Sequence, residues 1–173
     1  TTANAVVTED KNVPSITATG GVLTCASPSV TLSATQVTGA TYVWKLGATQ
    51  VATTRQHAVT TPGTYTVTVT FTNGCTTTAN AVVTEDKNVP SITATGGVLT
   101  CASPSVTLSA TEVAGASYVW KLGATQVATT RQHAVSVAGT YTVTVTFTNG
   151  CTTTAQAVVT EDKNVPSITA TGG

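Results

Sequence analysis

Residues 64–86 read TYTVTVTFTNGCTTTANAVVTED, and the run returns at 140–162 with Gln156 in place of Asn80. In its first nine positions Tyr65, Val67, Val69 and Phe71 alternate with five threonines, the period-two pattern of a strand with one buried face. Asn73-Gly74 follows, the dipeptide favoured in a two-residue hairpin whose central positions both need positive φ. Residues 75–86 then return as a partner strand. A lone hairpin is marginal in water, so the apolar face of this one needs further strands to cover it.

The recurrence has a period of 76 residues, and 22–97 differs from 98–173 at seven positions: Gln36/Glu112, Thr38/Ala114, Thr41/Ser117, Thr60/Ser136, Thr61/Val137, Pro62/Ala138 and Asn80/Gln156. A unit of this length can enclose its own core, unlike the shorter solenoid repeats that need neighbours to do so. The phrase TTANAVVTEDKNVPSITATGG opens the chain at 1–21, recurs at 77–97 and closes it at 153–173 with the one Gln156 change. It parses as a last strand, a KNVP joint and a first strand. The expected organisation is therefore the last strand of a preceding repeat at 1–11, repeats at 12–87 and 88–163, and the first strand of a following repeat at 164–173. On this reading the sequence is a window on a longer array.

Within one repeat the strands expected beside 64–72 and 75–86 are 14–24, bent at Gly20 and Gly21, then 29–35, 41–47, 49–54 and 56–60. Threonine makes up roughly a quarter of the chain, and stretches of good helix formers are missing. Seven short strands separated by turn signals predict an all-β fold, a seven-stranded sandwich. Trp44 in mid-strand, and Tyr65 after Pro62-Gly63 where a tyrosine corner would sit, sharpen it to immunoglobulin-like; both recur, as Trp120 and Tyr141. The expected core contains Leu32, Trp44, Tyr65, Val67 and Val69 with their counterparts. The expected architecture is a linear tandem array.

Seven basic and seven acidic residues cancel, and charged residues make up only 8% of the chain, which leaves no electrostatic footprint for nucleic acid or an anionic membrane. No apolar run approaches the ~20 residues that span a bilayer, so no membrane insertion is expected in this segment. Four cysteines at identical places in the two repeats, without a CxxC or Cys/His cluster, fit disulfides in an oxidising compartment. The expected location is extracellular.

LTCASPSVTLSAT (23–35), TYVWKLGAT (41–49), PGTYTVTVTFTNGCTTTA (62–79) and VVTED (82–86) together resemble the immunoglobulin-like, PKD-like repeats of very large secreted surface proteins of Bacteroidota, gliding and attachment adhesins among them. The resemblance covers essentially the whole chain. It implies a stalk or filament at the cell surface, with neighbouring repeats and other copies in a filament as partners, and it carries over no catalytic residue and no cofactor.

Side chains capable of chemistry are few. His57 and His133 have no nucleophile or acidic partner near them in sequence and read as solvated strand residues, so no enzyme is expected. Glu85, Asp86 and Asn88 fall at the joint, where calcium could bind, although two carboxylates are few for an ion that takes six to eight oxygens. The threonine row 64, 66, 68, 70 and 72 resembles an ice-binding surface but is one row wide, and threonine is a strong strand former on any exposed face. Lys45 lies on the face opposite Trp44, away from any buried carboxylate that an isopeptide bond would need. The competing functional class is a multivalent glycan- or surface-binding module. Such a module exposes aromatics, whereas Tyr42, Trp44, Tyr65 and Phe71 are all assigned to the core.

The cysteines offer two pairings. Internal bridges would join Cys25 to Cys75 and Cys101 to Cys151. Strand direction favours another arrangement. In an immunoglobulin-like sandwich the strands holding Leu32 and Val67 run the same way, so Cys25, seven residues before Leu32, and Cys75, eight after Val67, fall at opposite ends of the repeat. A disulfide tolerates about 7 Å between Cα atoms. The expectation is thus Cys25 with Cys151 across the joint, Cys75 with a preceding repeat and Cys101 with a following one, the internal pairs being the alternative.

Overall fold

The computed structural model describes residues 1–165, 168 and 169. The chain divides into two units, Thr1–Lys87 and Asn88–Gly173. The first contains β1 (Ala18–Thr19), β2 (Gly21–Thr24), β3 (Val30–Ala34), β4 (Thr41–Leu46), β5 (Thr49–Ala52), β6 (Gln56–Val59), β7 (Gly63–Thr70) and β8 (Thr76–Asp86). The second repeats them as β9 (Ala94–Thr95), β10 (Gly97–Thr100), β11 (Val106–Ala110), β12 (Ser117–Leu122), β13 (Thr125–Ala128), β14 (Gln132–Val135), β15 (Gly139–Thr146) and β16 (Thr152–Asp162). Among the described residues there is no helix. In each unit a three-stranded sheet (β1-β3-β6, and β9-β11-β14) faces a five-stranded one (β2-β8-β7-β4-β5, and β10-β16-β15-β12-β13).

The alternation of β7 is realised as expected: Tyr65, Val67 and Val69 are buried and the intervening threonines face outward. With Leu23, Leu32, Tyr42, Trp44, Phe71 and Val83 they close the core of the first unit, and the counterparts close the second. Each large polar tip finds a main-chain acceptor. Trp44 Nε1 donates to the Thr54 carbonyl at 3.0 Å and Tyr42 Oη to that of Thr35 at 3.1 Å. Tyr65 Oη donates to the Thr61 carbonyl at 2.8 Å, which is the expected tyrosine corner. In the second repeat position 61 becomes Val137 and Pro62 becomes Ala138, yet Tyr141 keeps its bond at 2.8 Å because the acceptor is main chain. All seven positions that differ are exposed in the first repeat, so none touches its core.

Burial raises the Tyr65 and Tyr141 hydroxyls above their ordinary value of 10.0. The folded chain thus holds these protons more tightly than the unfolded chain does. Their contribution is complete below the unfolded value and is lost as pH rises through the folded one. The stability these two hydroxyls contribute should be lost above about pH 10, which a falling melting temperature in that range of a pH series would check.

Three expectations about strands are corrected. The strand at 14–24 is two strands in different sheets, making eight per repeat: β1 pairs antiparallel with β3, and β2 pairs parallel with β8. The switch falls at Gly20, where a Cβ would stand 1.9 Å from the Val82 carbonyl oxygen, so only glycine lets the chain pass over β8. Residues 1–11 form no strand. Their first ten residues have the same sequence as 77–86, which pairs with β7 and β2; among the described residues 1–10 pair with no strand, and Val7 is 93% exposed where its counterpart Val83 is 2%. The strand expected at 164–173 lies largely outside the described residues.

The third correction concerns Asn73-Gly74. Gly74 has φ 80°, but among the described residues none other than glycine has positive φ, so the turn is not the two-residue type. Phe71 N–H donates to the Cys75 carbonyl (2.8 Å) and Gly74 N–H to that of Phe71 (3.0 Å), closing a three-residue loop with glycine in the left-handed position.

Candidate functional site: the two ends of a repeat

Strand directions define the ends. Because β1 is antiparallel to β3, β2 parallel to β8, and β8 antiparallel to β7, the strands carrying Leu32 and Val67 run the same way. The first strands and the last strand therefore point alike, and the chain enters a repeat at one end and leaves at the other.

At the entry end the β7–β8 hairpin meets the incoming linker. Asn73 Nδ2 donates to the Asn12 carbonyl at 2.9 Å and stands 3.5 Å from that of Asp10, while its Oδ1 accepts from Cys75 N–H at 3.0 Å. One amide thus ties the entry cysteine's backbone to the linker. The second repeat repeats the arrangement: Asn149 Nδ2 donates to the Asn88 carbonyl at 2.9 Å and Asn149 Oδ1 accepts from Cys151 N–H at 3.0 Å. In the first unit Asp10, Asn12, Pro14, Val37, Phe71 and Asn73 are among the residues around a hollow of about 150 Å³. Its one carboxylate, Asp10, already accepts from Asn12 N–H at 3.1 Å. The three-residue loop gives Asn73 this reach, and no local signal in the sequence announces bonds to carbonyls about sixty residues away.

At the exit end Cys25 follows β2, whose Thr24 lies in register with Asp86 at the end of β8. Ser27 N–H donates to Thr24 Oγ1 and Thr24 N–H to the Ser27 carbonyl, both at 2.9 Å, turning the chain back so that Cys25 is exposed. Cys75 precedes Thr76 at the other end of the eleven-residue β8. At about 3.3 Å per residue the two cysteines are roughly 35 Å apart, far beyond the reach of a disulfide. Cys75 and Cys101 are free thiols. Neither internal pair, Cys25 with Cys75 or Cys101 with Cys151, is formed.

The other sequence candidates stay apart. Glu85 Oε2 accepts from Lys87 Nζ at 2.9 Å in a half-exposed ion pair; Asp86 ends β8, and the Asn88 carbonyl is held by Asn149. Among the described residues no group of three or more His, Cys, Asp or Glu could hold a metal ion. His57 lies in β6 in register with Leu32, with no nucleophile paired to it, and Lys45 is exposed. The threonine row of β7 lies beside β8, where Thr66 Oγ1 and Asn80 Oδ1 are 2.8 Å apart. No helix among the described residues is long and apolar enough to cross a membrane.

Two closed sandwiches, each with a buried mid-strand tryptophan and a tyrosine corner, make this a protein of tandem immunoglobulin-like domains. Neither a family model nor a curated protein sequence matches the chain. Solved structures do. A calcium-stabilised adhesin that helps an Antarctic bacterium reach out and bind ice is 18% identical with a TM-score of 0.56, the match covering 90% of this chain and 50% of that one. Three N-terminal domains of the highly immunogenic outer capsid protein of bacteriophage RB49 are 17% identical with a TM-score of 0.49, covering 84% and 59%. The fibronectin(III)-like modules of CbhA from Clostridium thermocellum are 12% identical with a TM-score of 0.35, covering 85% and 95%. The chain spans half to about three-fifths of the length of the first two, and the likeness is one of fold.

Proposed function

We propose that the chain is a stretch of the stalk or filament of a large extracellular adhesin, of the kind built from such repeats in Bacteroidota, and that it holds a binding tip away from the cell surface. Its work is structural and not catalytic, and its partners are the neighbouring repeats of the same protein and other copies in a filament. The observation that carries this reading is that β2 and β8 run parallel, so that entry and exit lie at opposite ends of each repeat. Repeats joined by that geometry add length with every copy. The Antarctic adhesin named above, which helps its bacterium reach outward, supports the same role. A glycan-binding platform is disfavoured because Tyr42, Trp44, Tyr65 and Phe71 are all buried.

An end-to-end array predicts a centre-to-centre spacing of roughly 35 to 45 Å, since an eleven-residue strand spans about 36 Å and turns add the rest. Small-angle scattering from the 173-residue chain should give an elongated particle with a second maximum near that distance. A compact particle, with the repeats side by side, would contradict the stalk.

A further inference from the structure

We infer that the open edge of β8 over residues 76–80 is an interaction surface, and that it pairs antiparallel with the same edge of a second copy of this chain about a two-fold axis at Thr78. The inference rests on the filament reading and deepens it by naming the strand through which copies meet.

β8 runs for eleven residues and is covered unevenly. On one side β7 pairs with residues 76–83, whereas on the other β2 pairs only with residues 83–86. The chain ahead of β2 goes elsewhere. It passes over Val82 at Gly20, and before that it runs with the other sheet, where Thr35 N–H donates to the Thr17 carbonyl at 3.0 Å and β1 pairs with β3. Among the described residues, 76–80 therefore have a strand on one side alone. The second unit repeats the gap at residues 152–156, with Gly96 over Val158.

The phase of the ladder fixes which groups are open. Phe71 N–H donates to the Cys75 carbonyl at 2.8 Å, and pairs exchanging bonds alternate with pairs that do not, so Val69 with Thr77 and Val67 with Ala79 are the next bonded pairs. Thr77 and Ala79 thus turn their main-chain groups to β7. Thr76, Thr78 and Asn80 turn theirs to the open side, as the Val82 carbonyl does where Gly20 passes it. An unpaired row of N–H and C=O groups takes another strand, and edges are ordinarily blunted by charge, proline, bulges or short length. Three other edges have such devices: β1 is two residues long, the pairing of β5 shifts register between Trp44 and Lys45, and β6 is four residues long with Arg55 before it and His57 within it. Residues 76–80 read TTTAN and carry neither charge nor proline.

The strand this edge fits is its own copy. A two-fold axis at Thr78 sets Thr78 against the copy's Thr78 and Thr76 against the copy's Asn80, each pair exchanging both main-chain N–H···O bonds. On the outer face, where Thr76, Thr78 and Asn80 are exposed, threonine meets threonine and asparagine, side chains that hydrogen-bond to one another across strands. On the inner face only Thr77 and Ala79 approach, both small, and nowhere does a charge meet its like. In the second repeat Asn80 becomes Gln156, which keeps an amide at the same place. The two five-stranded sheets would then run on as one, joined by threonine-rich strands.

Thr78 is the position to change, because its N–H faces the open side and proline there removes an edge donor but no bond to β7. Sedimentation equilibrium of the 173-residue chain under reducing conditions, from micromolar to millimolar concentration, should show the average mass climbing to at least twice that of one chain. The double variant Thr78→Pro, Thr154→Pro should stay at the mass of one chain throughout. So should Thr78→Lys, Thr154→Lys, which keeps the main chain intact and sets like charges opposite each other. On association of the unaltered chain, amide exchange should slow by about tenfold or more at Thr76, Thr78 and Asn80, while Thr77 and Ala79 are protected at every concentration. A chain that stays single at millimolar concentration, a lysine variant that associates as the unaltered chain does, or protection that leaves Thr78 unchanged would each overturn the inference. Any of these beside an elongated particle in dilute scattering leaves the stalk standing and removes only the pairing, whereas a compact dilute particle removes the stalk itself.

Discussion

Replacing Trp44 with alanine is expected to destabilise the first repeat by about 3 to 5 kcal/mol, the usual loss for a large aromatic in a closed core. Trp44 is fully buried, and its indole N–H donates to the Thr54 carbonyl, so the truncation leaves both a cavity and an unpaired acceptor. The second repeat is an internal reference because Trp120 is untouched. Under reducing conditions the midpoint of the first repeat should fall by about 15 °C or more while the other keeps its own. Melting unchanged by Trp44→Ala would remove the core assignment.

Gly96→Ala is expected to cost about 3 kcal/mol, at the upper end of what an added methyl usually costs in a tight site. The new Cβ would lie 2.0 Å from the Val158 carbonyl oxygen and 2.7 Å from its carbon, and main chain cannot rotate aside as a side chain can. The strand switch between β9 and β10 would have to lift off β16, breaking the parallel pairing that starts at Gly97 and Val159. Gly123→Ala provides the comparison. Gly123 has φ 59° but nothing within 4 Å of the added atom, so only the left-handed backbone penalty of about 1 kcal/mol applies. Denaturant titration of the two variants should rank them in that order. Equal costs would mean that the close approach at Gly96 is not what keeps glycine there.

Much of this molecule was legible in its sequence, because the deciding signals are local. The Tyr65-Val67-Val69-Phe71 alternation names its own buried face, and the 76-residue period repeats that signal at Tyr141, Val143, Val145 and Phe147. The tyrosine corner was legible from a tyrosine just after a turn, and it survives Pro62→Ala in the second repeat because the acceptor is a carbonyl. What was missed depends on neighbours distant in sequence. Gly20 announces a bend, but which sheet each side of the bend joins is decided by β8, some sixty residues on. Residues 1–10 carry the same strand signal as 77–86, and a strand still requires a partner. Asn73-Gly74 carries the two-residue turn preference, yet the loop takes three residues and frees the asparagine amide for the linker and for Cys75 N–H. That Cys25 and Cys75 stand at opposite ends of a repeat was legible, because it follows from strand direction alone. The asparagine clamp was not, since main-chain acceptors leave no mark in sequence.

The account stands or falls on how the chain responds to a pull applied at its two ends. Single-molecule stretching under reducing conditions should give two unfolding steps, each releasing about 220 Å as a 76-residue repeat unravels. One step that releases both repeats together, or a gradual release without steps, would contradict it.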